Sequence, residues 1–207
     1  MIYSRDYILV FNFLLLFRKA KILFLPTGIP HTIYIEYIHI MSPNLAAAKR
    51  LRKELQNLER AKEQDPDIFL IPDGDNILRW TALLKGPCDT PYAEGVFQLA
   101  IDCGSDYPLS PPKIKFLTKI FHPNVHFRTG DVCLDILKKE WSPAWGVQAA
   151  CRAILALLSD PDADSPLNCD AGNMIRGGDM LAYNTTARMY SVENAMFLAW
   201  PTTTATK

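Results

Sequence analysis

The sequence predicts an α+β fold, with a four-stranded antiparallel meander between one N-terminal helix and a set of C-terminal helices. Three observations carry this. Apolar residues recur at helical spacing from Leu45 to Leu58. Between Ile68 and Phe116 the pattern shortens to brief apolar or alternating runs separated by turn residues. From Val147 the helical period returns. The links between the four central runs are too short for crossover helices, so neighbouring strands must pair antiparallel.

The 207 residues suit one well-buried core and would make two domains cramped. Met41-Ser42-Pro43 opens the first helix, with Ser42 as N-cap and Pro43 at the first helical position. Leu45, Ala48, Leu51, Leu55 and Leu58 form its apolar stripe, and Lys49, Arg50, Arg52, Lys53 and Arg60 make the other face basic. Pro66 closes the region.

The expected strands are Ile68–Ile71, Ile77–Leu84, Val96–Cys103 and a short fourth one holding Ile114 and Phe116. Pro72-Asp73-Gly74-Asp75 marks a turn between the first two, and Gly86-Pro87 closes the second. In the third, Phe97, Leu99, Ile101 and Cys103 alternate with Gln98, Ala100 and Asp102, as in a half-buried strand. Val147, Ala150, Cys151, Ile154, Leu157 and Leu158 make a strongly apolar helix, which Ser159-Asp160-Pro161 stops. Residues 162–170 read as a polar turn, and Asp179 starts a last helical stretch running to about Trp200.

Lys+Arg and Asp+Glu both number 22, so charge gives no reason to expect a nucleic acid or an anionic membrane as the main partner. Residues 1–40 nevertheless carry four basic side chains against two acidic ones. They also hold the most apolar run, Ile8–Phe17, which as a helix would span about 15 Å, half of a hydrocarbon core about 30 Å thick. No small-residue cleavage site follows it. Residues 1–40 are therefore expected to be an extension outside the fold, arising from an upstream start or serving as a membrane tether. Residues 41–207 are expected to form the folded domain.

Five cysteines without a C-x-x-C pair suit a reducing compartment rather than a disulfide framework. Cys133 is the one with a chemical setting. Asp131 and Asp135 flank it at two residues' distance, and no Lys, Arg or His lies within four positions. Carboxylates raise a thiol's pKa above about 8.5, which makes a poor unaided nucleophile. A cysteine hydrolase, which needs a thiolate–imidazole pair, is disfavoured. A carrier that exchanges an acyl group in from another thiolate and passes it on fits better. Transfer from such a thioester needs a donor for the developing oxyanion, and the Asn124 amide is the candidate. Pro123 restrains the turn before it, and the His122 imidazole can bond local backbone and hold the turn's shape. Taken singly, His122-Pro123-Asn124 is an ordinary turn and Cys133 a small buried hydrophobe. A metal centre using His122 and His126 is disfavoured, because Pro123 forbids the helix that would align the two rings.

The segments H-P-N (122–124), V-C-L-D-I-L (132–137), W-S-P-A (141–144), Y-P-L-S-P-P-K (107–113) and G-P-C-D-T-P-Y-A-E-G-V-F (86–97) together closely resemble the ubiquitin-conjugating enzyme family. The likeness runs from about Leu45 to Trp200. It implies that Cys133 carries ubiquitin as a thioester, delivered by an activating enzyme that uses the ATP, so that this chain needs no cofactor or metal. It implies that Asn124 stabilises the intermediate as a lysine attacks, with Asp135 and Ser165 orienting the acceptor. A RING-type ligase is expected to contact Lys49, Arg50, Lys53, Leu109, Pro143 and Ala144. Leu109 stands where many members have phenylalanine.

The spacer between Asn124 and Cys133 has eight residues, Val125–Val132, one more than most members carry. That spacer and L-L-S-D-P-D-A-D-S-P-L-N-C-D-A-G-N (157–173) look like the peroxisomal branch. Members of that branch work at the cytosolic face of peroxisomes, held by a membrane-anchor partner, and ubiquitinate the import receptor for recycling. A conjugator from another branch or for another ubiquitin-like modifier, and an inactive binding variant, are the alternatives.

Overall fold

In the computed structural model, the residues described are 46–61, 65–132 and 141–196. They all belong to the compact unit Met41–Lys207. Residues 1–40 and the proposed helix start at Met41-Ser42-Pro43 lie outside them.

Strands β1 (Ile68–Pro72), β2 (Arg79–Lys85), β3 (Val96–Asp102) and β4 (Lys113–Phe116) form one sheet in chain order, each pair antiparallel. This is the meander the turn residues predict. Register follows burial: Leu84 sits opposite Ile68 and Phe97, and Leu99 and Ile101 sit opposite Phe116 and Ile114. Along β3, Phe97, Leu99 and Ile101 are buried, while Gln98 and Ala100 are half-exposed. Each such fully buried side chain stabilises the fold by about 1.5–3 kcal/mol.

Helix α1 (Ala46–Arg60) precedes the sheet and buries Ala47, Ala48, Leu51 and Leu55. Leu58, expected in the stripe, is only half-buried. Helix α2 (Val147–Ser159) packs on β1 and β2 through a broad apolar face that includes Ala150, Cys151, Ile154 and Leu158. Helices α3 (Cys169–Arg176) and α4 (Met180–Asn194) pack on one another.

Three expectations need correction. Ile77 and Leu78 form a turn rather than the start of β2, because the Asn76 side chain accepts from the Leu78 N–H and the Asn76 carbonyl accepts from the Arg79 N–H. Residues 162–170 are not all turn: Asn168 caps α3, its side chain accepting from the Ala171 N–H. The last helix stops at Asn194 instead of continuing to Trp200. Ala195 turns extended, and Met196 exchanges two backbone hydrogen bonds with Val96. Asp179 is the N-cap of α4, accepting from the Ala182 N–H at 3.0 Å. No helix among the described residues is long and apolar enough to cross a membrane.

Candidate active site

The H-P-N turn is buried and held from three directions. From α4, the Tyr183 hydroxyl meets that of Tyr92 at 2.9 Å, and Tyr92 donates to the Phe121 carbonyl at 2.7 Å. From α2, the Leu157 carbonyl lies 3.0 Å from His122 Nε2. From the loop before α3, the N–H groups of Leu167 and Asn168 both reach the Pro123 carbonyl, at 2.8 and 3.0 Å.

These contacts fix the state of His122. Its Nδ1 accepts from the Asn124 N–H at 3.1 Å, so its proton resides on Nε2 and is donated to Leu157. Burial pushes its pKa down to about 4, against the opposing pull of the Leu157 carbonyl. The ring is thus a neutral strut rather than an acid or base near neutral pH.

Asn124 is also buried. Its Nδ2 donates to the Asp162 carbonyl at 2.6 Å, and its Oδ1 accepts from the Asp162 N–H at 2.9 Å. One Nδ2 hydrogen remains after the bond to Asp162, so the amide can be clamped and still present a donor.

Beyond Asn124 the eight-residue spacer forms a tight hairpin. Val125 and Val132 are bridged, and the His126 N–H donates to the Asp131 carbonyl at 2.8 Å. The returning arm lies along β4: Phe116 N–H donates to Gly130, and Val132 N–H donates to Ile114. Gly130 has a φ of +76°, and a Cβ there would lie 2.1 Å from the Phe116 carbonyl oxygen, so both conformation and space demand glycine. Phe127 at the turn packs edge-on against Phe121 and Tyr190. Lys119 sits over the rings of Phe127 and Tyr190.

Cys133 and Asp135 lie outside the described residues. Ser165 and Asp164 are exposed, on the loop that Asn124 clamps through Asp162. His122 and His126 are spent in separate bonds, the latter accepting from the Thr129 N–H. Among the described cysteines, Cys103 and Cys151 are buried and Cys88 and Cys169 exposed. Burial first, then nearby carboxylates, pushes the Cys151 thiol up to about 12 and Cys103 higher still.

The residues expected to meet a ligase are Lys49 and Lys53 on α1, exposed, with exposed Leu109, Pro143 and Ala144 on two loops. Leu109 is 78% exposed, far more than an apolar side chain with a partner inside the fold. Arg50 is different. Its guanidinium donates to the Pro143 and Trp145 carbonyls at 2.8 and 2.7 Å, so it ties the loop to α1 and is only partly exposed.

Sequence reading missed the Tyr92–Tyr183 pair and the Asp162 backbone, which act through partners distant in the chain. Only the Asn168 cap had a local signal, with Asp170 in the first turn of α3 and Arg176 in the last.

The family model described as ubiquitin-conjugating enzyme matches residues 50–191. The chain is 58% identical over 151 residues to Protein PEROXIN-4 of Arabidopsis thaliana, covering 73% of this chain and 96% of that protein. It is 55% identical over 145 residues to the ubiquitin-conjugating enzyme E2 pex4 of Dictyostelium discoideum, covering 70% of this chain and 96% of that protein. In structure it is similar to the H. polymorpha ubiquitin conjugating enzyme Pex4p, crystallised in complex with the soluble domain of Pex22p. That match has a TM-score of 0.68 at 35% identity, and it covers 73% of this chain and all of the other. A motif set, a buried H-P-N turn and a four-stranded meander thus agree with relatives matched over almost their whole length: the chain belongs to the ubiquitin-conjugating enzyme family.

Proposed function

We propose that this ubiquitin-conjugating enzyme carries ubiquitin on Cys133 and passes it, with a RING-type ligase, to the peroxisomal import receptor during recycling. One observation carries the chemistry: the Val125–Val132 bridge, with Asn124 the residue before it and Cys133 the residue after it. Ubiquitin's C-terminal acyl group arrives from a thiol of the activating enzyme, which has already used the ATP, and becomes a thioester on Cys133. A lysine amine then attacks the thioester carbonyl, the remaining Nδ2 hydrogen of Asn124 faces the oxyanion, and the Cys133 thiolate leaves and takes up the proton that the amine gives up. Asp135 and Ser165 orient the amine.

The two relatives named for peroxin 4 support the peroxisomal assignment. So does a solved relative bound to the soluble domain of Pex22p, a partner of the kind that would hold this enzyme at the cytosolic face of the organelle. Residues 1–40 lie outside the proposed catalytic unit.

The test combines the purified chain with ubiquitin, activating enzyme and ATP. A thiol-sensitive ubiquitin adduct is expected, and its persistence in Cys133→Ala would overturn the assignment. In cells, loss of the protein should leave the import receptor stranded on peroxisomal membranes; normal receptor cycling would refute the peroxisomal role.

A further inference from the structure

Glu54 stands one turn along α1 from Arg50, and its side chain is only 12% exposed. Its carboxylate accepts three hydrogen bonds from three parts of the chain. Oε1 accepts from Arg50 Nε at 2.6 Å and from the Tyr107 hydroxyl at 2.7 Å. Oε2 accepts from the Val147 N–H at 2.9 Å. Val147 is the first residue of α2, whose N-cap is Gly146 with no capping side chain. The cap is therefore supplied by an anion 93 residues away, placed at the positive end of the helix dipole.

Gly146 belongs to this arrangement. Its backbone is extended, which any residue can adopt, but a Cβ there would lie 2.7 Å from Glu54 Oε2. Burial, with the Glu54 carboxylate beside it, raises the Tyr107 pKa, so the phenol stays protonated and donates. The Tyr107 ring packs on Trp141, and Trp141 Nε1 donates to the Pro108 carbonyl at 2.8 Å. Arg50, held by Glu54, grips the carbonyls of Pro143 and Trp145.

The three segments that converge on this carboxylate are those that display the ligase contacts. Lys49 and Lys53 are on its own helix, Leu109 is two residues past Tyr107, and Pro143 and Ala144 lie between Trp141 and Gly146. Glu54 itself is too buried to be a contact. We infer that Glu54 is the positioning residue of the ligase surface: one largely buried carboxylate sets the spacing of the three exposed patches that a RING domain must meet together. This rests on the ligase surface proposed above and adds the group that assembles it. Three patches on independent segments would each have to be ordered on binding, at an entropic cost that a preset spacing removes.

The test measures discharge of the ubiquitin thioester to free lysine, titrated with a purified RING domain that stimulates the wild-type enzyme. Glu54→Gln keeps the volume but puts an N–H₂ against a donor. Tyr107→Phe keeps the ring on Trp141 and removes one bond. Each is expected to raise the RING concentration for half-maximal stimulation by about tenfold, as for loss of one charge-assisted bond. Plateau rate, loading and unstimulated discharge should stay at wild-type values. Unchanged half-maximal concentrations in both variants, while Ala144→Asp and Lys53→Glu abolish stimulation, would overturn the role of Glu54 and leave the surface standing. Undiminished stimulation of Ala144→Asp and Lys53→Glu would overturn the surface itself. Parallel loss of loading and both discharge rates would make Glu54 a fold residue and refute the positioning role.

Discussion

Asn124 and Asp162 satisfy each other in both directions: the asparagine amide donates to the Asp162 carbonyl at 2.6 Å and accepts from the Asp162 N–H at 2.9 Å. The side chain proposed as the oxyanion donor thus also fixes the loop that bears Asp164 and Ser165. The two roles have separable consequences.

Asn124→Ala is expected to slow discharge to lysine by about a hundredfold, the loss typical of one oxyanion donor. Loading, which the activating enzyme drives, should survive. Loss of the two bonds to Asp162 should also lower stability by about 2 kcal/mol. Urea unfolding beside single-turnover discharge separates the effects: equal loss of loading and discharge would make the residue purely structural.

The His122 imidazole gives the fold an acid-side weakness. Its pKa is held near 4 in the folded chain, below the ordinary value of 6.5. Between those values the unfolded chain binds the extra proton. The contribution is therefore full above about pH 6.5 and is lost as pH falls toward 4, for a total of about 3 kcal/mol. Denaturation midpoints measured from pH 7 to pH 4.5 should fall more steeply in the wild-type protein than in His122→Gln.

The thiols should sort by burial. Iodoacetamide at mild alkaline pH is expected to label Cys88 and Cys169, both exposed, and to spare Cys103 and Cys151, whose pKa values burial raises. Replacing Cys88 and Cys169 together by serine should leave charging with ubiquitin intact. Cys133→Ser should give an oxyester that survives thiol treatment. Mass spectrometry of the labelled chain and a non-reducing gel read the two results.

Ala144→Asp places a charge in an exposed apolar spot, at the residue between Pro143 and Trp145 in the chain. It should reduce ligase-stimulated discharge far more than loading, with a melting temperature close to wild type. Stimulation equal to wild type would put the ligase elsewhere.

What the sequence made legible was what short-range chemistry controls. Gly74, Gly86 and Asp179 announced two breaks and a helix start, and alternation in Phe97–Cys103 announced β3, because each signal acts within a few residues. Ile77 misled for a physical reason. It is buried and apolar like a strand residue, but it enters the core from a turn whose carbonyl also accepts from Trp80 Nε1. The polar segment before α3 hid a helix because that helix is eight residues long and buries little more than Ala171 and Gly172. At the site, His122 and Asn124 were named from their motif, but their partners Leu157 and Asp162 were not. Those lie 35 and 38 residues away and offer only backbone, which no side-chain pattern encodes.

The hairpin between Asn124 and Cys133 is pinned at its base by the Val125–Val132 bridge and along its return by β4. Its tip, at Arg128 and Thr129, is exposed and lies outside that backbone pairing. Chain length can therefore drift at the tip without being transmitted to the reacting end, as slack in a loop of rope leaves the knot where it was tied. A relative could gain or lose a tip residue, and with it an outward-facing epitope around Arg128 and Thr129, while its chemistry stays in register.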